Sequence, residues 1–242
     1  MSKFCTFVEW EDVPHLPKET KEAILASIPP WQRDSRTKGV PQLGAGAIYQ
    51  VPTSDIEVTG FEIPKHWPRC FGMDVGWNRT AALWGAYDRE TSTLYVYDEY
   101  YRGQAEPSVH AAAILNRGKW IPGVIDPAAR GRMQSDGTQL LSLYQGLGLD
   151  IEIADNAREA GIYRVWEMLS QGRLKIFKGC ASTFAEYRLY RRDDKGQVVK
   201  KNDHLMDSLR YLVMSGIERA KVEPTYNGKQ WFHWSPPDFW AG

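Results

Sequence analysis

Three carboxylates in this chain occupy positions that a fold has to account for. The stretch KKNDHLMDSLRYLVM, residues 200–214, reads as a helix with an apolar stripe at Leu205, Leu209, Leu212 and Val213, continuing to Ile217. It nevertheless carries Asp203, His204 and Asp207 in its first turns. A buried carboxylate costs free energy unless something positive lies against it. Asp74 lies in the apolar run RCFGMDVGW, and Asp126 ends the short run IPGVID, both with strand character. If those strands are neighbours, both acids leave the sheet at the same end, and Asp207 reaches that end from a helix packed on the sheet. Three converging acids repel one another and call for divalent cations, and their hard oxygen ligands suit magnesium or manganese. Two such ions about 4 Å apart activate a water and stabilise the leaving oxygen of a phosphodiester.

Each acid also has an ordinary role open to it. Asp203 is placed to cap the helix. Asp74 before Val75-Gly76 and Asp126 before Pro127 could each begin a turn. Asp207 could pair with Arg210 at i+3 on the helix surface. His204 fits a surface or supporting position as well as a ligand, and Glu99 in YVYDEYY is a weaker acid candidate that an edge strand would explain. Taken together, the trio in a strand–strand–helix order favours the metal reading.

The bulk numbers describe a folded protein. Of 242 residues, 43% are apolar and 25% charged, which excludes a disordered chain, and 30 basic residues balance 30 acidic ones. A neutral total does not argue against nucleic acid, since binding depends on local patches. Cys5, Cys70 and Cys180 are far apart and odd in number, which fits a reducing cytosol better than a disulfide framework or zinc site. No run reaches the roughly 18 apolar residues of a membrane span, and no signal-peptide core is present.

The elements that must position the acids follow from punctuation and periodicity. PHLPKETKEAILASIPP predicts a short helix bounded by prolines, and a Gly- and Pro-rich stretch follows with one strand at 46–51. From residue 71 three strands form an antiparallel meander, with the turn DRETS joining the last two. Helices and strands then alternate: helix EPSVHAAAILNRG, strand IPGVID, helix TQLLSLYQGLG, strand LDIEIAD, helix REAGIYRVWEMLSQG closed by Gly172, and strand RLKIF. Residues 180–204 run through a helix or strand into a hairpin at DDKG, and the acid-bearing helix closes the set. An antiparallel half joined to a parallel half predicts an α/β domain with one mixed sheet. The expected divisions are an extension packing on the core at 1–70, the domain at 71–219, and a Trp- and Pro-rich tail at 220–242.

This arrangement resembles the ribonuclease H-like nuclease fold. Within it, RDSRTKGVPQLGAGAIYQVP, GMDVGWNRTAALWGAYD, YVYDEYY, VIDPAA and NDHLMDSLRY resemble the C-terminal nuclease domain of tailed-phage large terminase subunits, over about residues 8–215. The resemblance implies metal-dependent endonucleolytic cutting of concatemeric viral DNA during genome packaging. It places Asp74, Asp126 and Asp207 on the three catalytic, metal-binding acids, with Asp203 and His204 beside them as further metal candidates. A pair of Mg2+ or Mn2+ ions would be the cofactor, and the implied partners are double-stranded DNA, a packaging ATPase domain, the small terminase subunit and the portal or procapsid. The implied setting is the host cytoplasm, with no membrane role. No G-x-x-x-x-G-K-[ST] occurs, so these residues carry no Walker A loop.

Basic residues suggest a path for DNA. Arg191, Arg192, Lys195, Lys200 and Lys201 cluster just before the acid-bearing helix, and Arg130 and Arg132 follow Asp126. Phosphate contacts of this kind give affinity without sequence reading. A solvated charged hairpin is the plainer alternative. Other functions remain to be separated by experiment: a resolvase or integrase of the same fold, a non-catalytic portal-docking module, and an actin-like nucleotide-binding domain suggested by DVGWNRTAAL.

Overall fold

The computed structural model describes residues 46–130 and 139–224, together with residues 17–27 and positions 10 and 37. Helix α1 (Lys18–Ser27) falls in the predicted place. Residues 46–51 do not form the expected strand. Ala47 makes only a single bridge to Arg191, while Tyr49 is buried. A short helix α2 (Thr53–Ile56) and a two-residue strand β1 (Glu57–Val58) follow, and nothing in the local sequence predicts either.

The meander is β2 (Arg69–Asp74), β3 (Thr80–Asp88) and β4 (Thr93–Arg102), antiparallel throughout. Helix α3 (Pro107–Leu115) leads to β5 (Gly123–Ile125), α4 (Leu140–Gly146) to β6 (Ile151–Ile153), and α5 (Arg158–Ser170) to β7 (Leu174–Phe177). Gly172, at φ +70°, ends α5 in the left-handed conformation that glycine adopts without strain. Helix α6 (Ala181–Leu189) settles the helix-or-strand ambiguity of the segment that begins at residue 180. Helix α7 (His204–Tyr211) widens into a π-turn at Leu212–Gly216 and ends at Arg219.

The seven strands order as β1-β7-β4-β3-β2-β5-β6, one mixed sheet with helices on both faces. Side-chain alternation assigns the faces. Cys70, Ala81 and Leu83 join a core with Ile162, Val165, Leu205 and Leu209 from α5 and α7. Phe71, Met73, Ala82 and Trp84 point the other way, onto Ala111, Ile114 and Tyr144 of α3 and α4. Because the central strands are covered on both sides, they read as near-continuous apolar runs rather than alternating ones. Helix α7 is buried from Leu205 to Val213 on every side, not along one stripe. It lies so close to the sheet that a Cβ on Gly72 would collide with the Ser208 carbonyl oxygen and come within 2.7 Å of the Leu212 nitrogen.

Candidate active site

Strand register brings the first two acids together. β2 and β5 are parallel with Met73 opposite Ile125, so Asp74, the last residue of β2, and Asp126, the first after β5, leave the sheet side by side. The Asp126 N–H donates to the Met73 carbonyl at 2.9 Å, which ties the two strand ends. Met73 faces α3 and α4, so Asp74 is directed to the opposite face, where α7 lies. Ser208 of α7 fastens that junction: its hydroxyl oxygen accepts from the Asp74 N–H at 3.2 Å and lies 3.2 Å from the Ala81 carbonyl.

Asp74, Asp126, Asp203, His204 and Asp207 line one cavity of about 750 Å³. Lys200, Lys201 and Arg158 are also on its wall. Each carboxylate of the trio is turned onto a partner of its own. Asp74 Oδ2 lies 2.8 Å from His204 Nδ1. Asp126 Oδ1 accepts from the Tyr211 hydroxyl and from the Ala128 N–H, both at 3.0 Å. Asp207 Oδ1 accepts from Arg210 Nε and Nη2 at 3.2 and 3.0 Å, and its Oδ2 lies 3.4 Å from Arg158 Nη2. This explains why, among the described residues, no three Asp, Glu, His or Cys side chains are gathered tightly enough to hold an ion as they stand.

The positive charge demanded by an acid in a buried helix is therefore supplied by the protein itself. Arg210 is 0% exposed, and the pair it forms with Asp207 lies in the interior rather than on the helix surface. Gly161 of α5 makes the room, since a Cβ there would stand 2.5 Å from Arg210 Cγ. The balance is incomplete. Burial pushes the Asp74 carboxyl up to about 6; the His204 hydrogen bond opposes this, and the charges of Asp126 and Asp207 reinforce it. Asp203 is likewise raised, by burial first and then by Asp207. The hydrogen bond with Asp74 raises His204 against the opposing effect of its burial.

The remaining residues singled out in the sequence divide between the cavity and other contacts. Asp203 occupies the N-cap position of α7, but its side chain makes no capping hydrogen bond. Glu99 is a helix cap, its carboxylate accepting from the Ser182 and Thr183 N–H groups at 2.9 and 2.8 Å. The basic hairpin is one bridge wide, Arg192 to Val198 around a turn at Asp193–Gly196. Of its residues only Lys200 and Lys201 reach the cavity wall. Arg192 is engaged by Glu159 at 2.5 and 3.1 Å, and neither Arg191 nor Lys195 lines the cavity. Arg130 belongs to a 3-10 turn after Asp126, but its side chain, like the whole of Arg132 and the Trp-rich residues 225–242, lies outside the described residues. Arg158 and Tyr211 are site residues that sequence reasoning does not find. Arg158 begins α5, 49 residues from Asp207, and no spacing in the sequence links the two.

Comparison with known proteins points the same way as the strand order. The chain is 30% identical over 218 residues to the terminase large subunit of Enterobacteria phage LP7, covering 86% of this chain and 46% of that protein. It is 30% identical over 210 residues to the large subunit of Salmonella phage P22, covering 83% and 42%. The chain thus spans less than half the length of these relatives. The P22 large terminase nuclease domain superposes with a TM-score of 0.67 at 28% identity, over 74% of this chain and 96% of that one. The large terminase nuclease domain of bacteriophage SPP1, solved with bound manganese, shares the fold at a TM-score of 0.51 and 18% identity, over 66% and 96%. Residues 71–215, more than half of the chain and inclusive of Asp74, Asp126 and Asp207, match the terminase RNaseH-like domain, and the chain belongs to that family.

Proposed function

We propose that this chain is a divalent-metal-dependent endonuclease that cuts concatemeric viral DNA, with little sequence preference, during genome packaging. The observation that carries the reading is the convergence of Asp74, Asp126 and Asp207 from two strand ends and a helix onto one cavity rimmed by Lys200, Lys201 and Arg158. The donor set fits magnesium or manganese. All three acids offer hard oxygen ligands, Asp203 adds a carboxylate spared from capping, and Asp74, raised first by burial and then by the charges of Asp126 and Asp207, is an acid that a cation would stabilise in its ionised form. Asp74, Asp126 and Asp207 would hold the ions, with Asp203 and His204 alongside. When bound, the metal supplies Lewis-acid stabilisation of the phosphate and lowers the pKa of water.

The chain's own groups prepare that site. His204 orients Asp74, Tyr211 and the Ala128 N–H orient Asp126, and Arg210 holds Asp207. Arg158 and Arg210 both hold Asp207; a bound ion would compete with them for its carboxylate, and Arg158 would then be available to a phosphate. Lys200 and Lys201 contribute phosphate contacts that hold the backbone without reading bases. The products expected are 3′-hydroxyl and 5′-phosphate ends. By family, the partners are double-stranded DNA, a packaging ATPase domain, the portal and the small terminase subunit.

The test is plasmid cleavage by the 242-residue chain in manganese and in chelator. Nicking and linearisation that need the metal, and that disappear in Asp126→Asn and Asp207→Asn proteins that still fold, are expected. Cutting that persists in chelator or in both variants would overturn the reading. A strong preference for branched over linear DNA would replace it with a resolvase.

A further inference from the structure

Glu186 of α6 is a buried acid that lies outside the cavity and takes no part in the metal chemistry. It is 3% exposed, and burial, only partly opposed by its hydrogen bonds, holds its carboxyl above the usual range. It is accommodated because two donors meet it. Its Oε1 accepts from the Tyr101 hydroxyl at 2.7 Å, and its Oε2 accepts from the backbone N–H of Leu205 at 2.6 Å. Leu205 is the second residue of α7, so that N–H is one of the helix's orphan donors. A helix normally satisfies such a donor with the side chain of its own N-cap residue. Here the N-cap residue is Asp203. Its backbone does its share, the carbonyl accepting from the Asp207 N–H at 2.8 Å, but its carboxylate makes no capping bond and lines the cavity instead.

We infer that Glu186 is a positioning residue that caps α7 from the neighbouring helix and thereby releases the Asp203 carboxylate into the acidic cavity. The substitution has a clear physical sense. An aspartate folded back onto its own helix cannot face a ligand, whereas a carboxylate brought from α6 satisfies the same donor from behind. Tyr101 sets the Glu186 rotamer, and α6 is itself anchored by Glu99 on β4, so the chain of contacts runs from the sheet to the start of α7. The consequence for Asp203 rests on the nuclease reading; the exchange of caps does not.

A double-substitution cycle tests it, read first as melting temperature in chelator, with neither metal nor DNA. In the native background Asp203→Ala should leave the melting temperature unchanged or raise it, because no cap is removed and one like charge is. In a Glu186→Ala background Asp203 becomes the only available cap, and the same Asp203→Ala change should now lower the melting temperature by about 2–4 °C. Should Glu186→Ala not fold, Glu186→Gln, which keeps the volume and only one acceptor, carries the same cycle with a smaller fall. Tyr101→Phe, which spares the bond to Leu205, should leave the native-background result for Asp203→Ala intact. An equal fall on Asp203→Ala in both backgrounds would overturn the inference, since Asp203 would then already be the cap. The second readout is plasmid cleavage, where Glu186→Gln should lower kcat at least tenfold with KM for DNA little changed. A stability cycle as expected, with no cleavage by the native protein, would uphold the exchange of caps and sink the nuclease reading alone.

Discussion

Replacing Asp74 by Asn should make the metal-free protein more stable at neutral pH while abolishing cleavage. The folded protein holds the Asp74 proton more tightly than the unfolded chain does, because burial and the neighbouring acids raise its pKa from 3.8 to about 6. Below pH 3.8 both states carry the proton and nothing is lost. Between 3.8 and 6 the unfolded chain ionises first, so stability falls as pH rises. Above 6 the full penalty is present, and at about 1.4 kcal/mol per pH unit it amounts to about 3 kcal/mol. Asn never ionises, and its carbonyl can still accept from His204. The gap between variant and native protein should therefore open from near zero at about pH 3.5 to as much as about 3 kcal/mol at about pH 7.5, or about 6–12 °C in melting temperature for a chain of this size. Saturating manganese should narrow or reverse the gap, since only the native cluster keeps all its carboxylates. The measurement is a pair of melting series from about pH 3.5 to about pH 8 in chelator, repeated in manganese at the neutral end. A variant less stable than the native protein at neutral pH in chelator, or a gap that does not change with pH, would refute the repulsion argument.

Three further outcomes are expected. Manganese at about a hundred times its dissociation constant should stabilise the native protein by about 2.7 kcal/mol, read as a melting shift that Asp126→Asn and Asp207→Asn reduce; no shift at all would count against a preformed acidic site. Charge reversal at Lys200 and Lys201 should weaken DNA binding across sequences and reduce the slope of log K against log salt by about 0.9 for each phosphate no longer neutralised, whereas reversal at Arg192, already paired with Glu159, should change the slope less. Equal effects from the two would mean that DNA runs over the hairpin rather than along the cavity wall. Gly72→Ala should cost about 1–3 kcal/mol, because its Cβ meets α7 backbone that no rotamer change can move, and should depress cleavage by shifting Asp207; native stability would show that α7 does not sit as close to β2 as described.

What is legible in the sequence is what local physics controls. Apolar runs, turn residues and helical spacing mark β2 to β7, α3 to α5 and α7, because each signal is carried by a short continuous stretch of chain. The strand–strand–helix order of Asp74, Asp126 and Asp207 predicts convergence on the condition that the two strands are neighbours, and the parallel pairing of β2 with β5 meets that condition. Tertiary structure alone decides how the acids are held. Arg210 is visible three residues from Asp207, but whether that pair lies on the surface or in the core depends on Gly161 of another helix. Arg158, Tyr211 and Glu186 come from 49, 85 and 19 residues away from the groups they bind. Asp203 has the sequence signature of a cap and yields that bond to Glu186, a competition between two carboxylates for one N–H that only their positions in space can settle. β1 is equally hidden: two residues carry no periodicity, and they form a strand only because β7 offers them a parallel edge. Propensity and pattern act along the chain, whereas the partner of a buried charge is chosen by proximity across it, and for that reason the acids and the nearby Arg210 can be read from sequence while Arg158, brought from another helix, cannot.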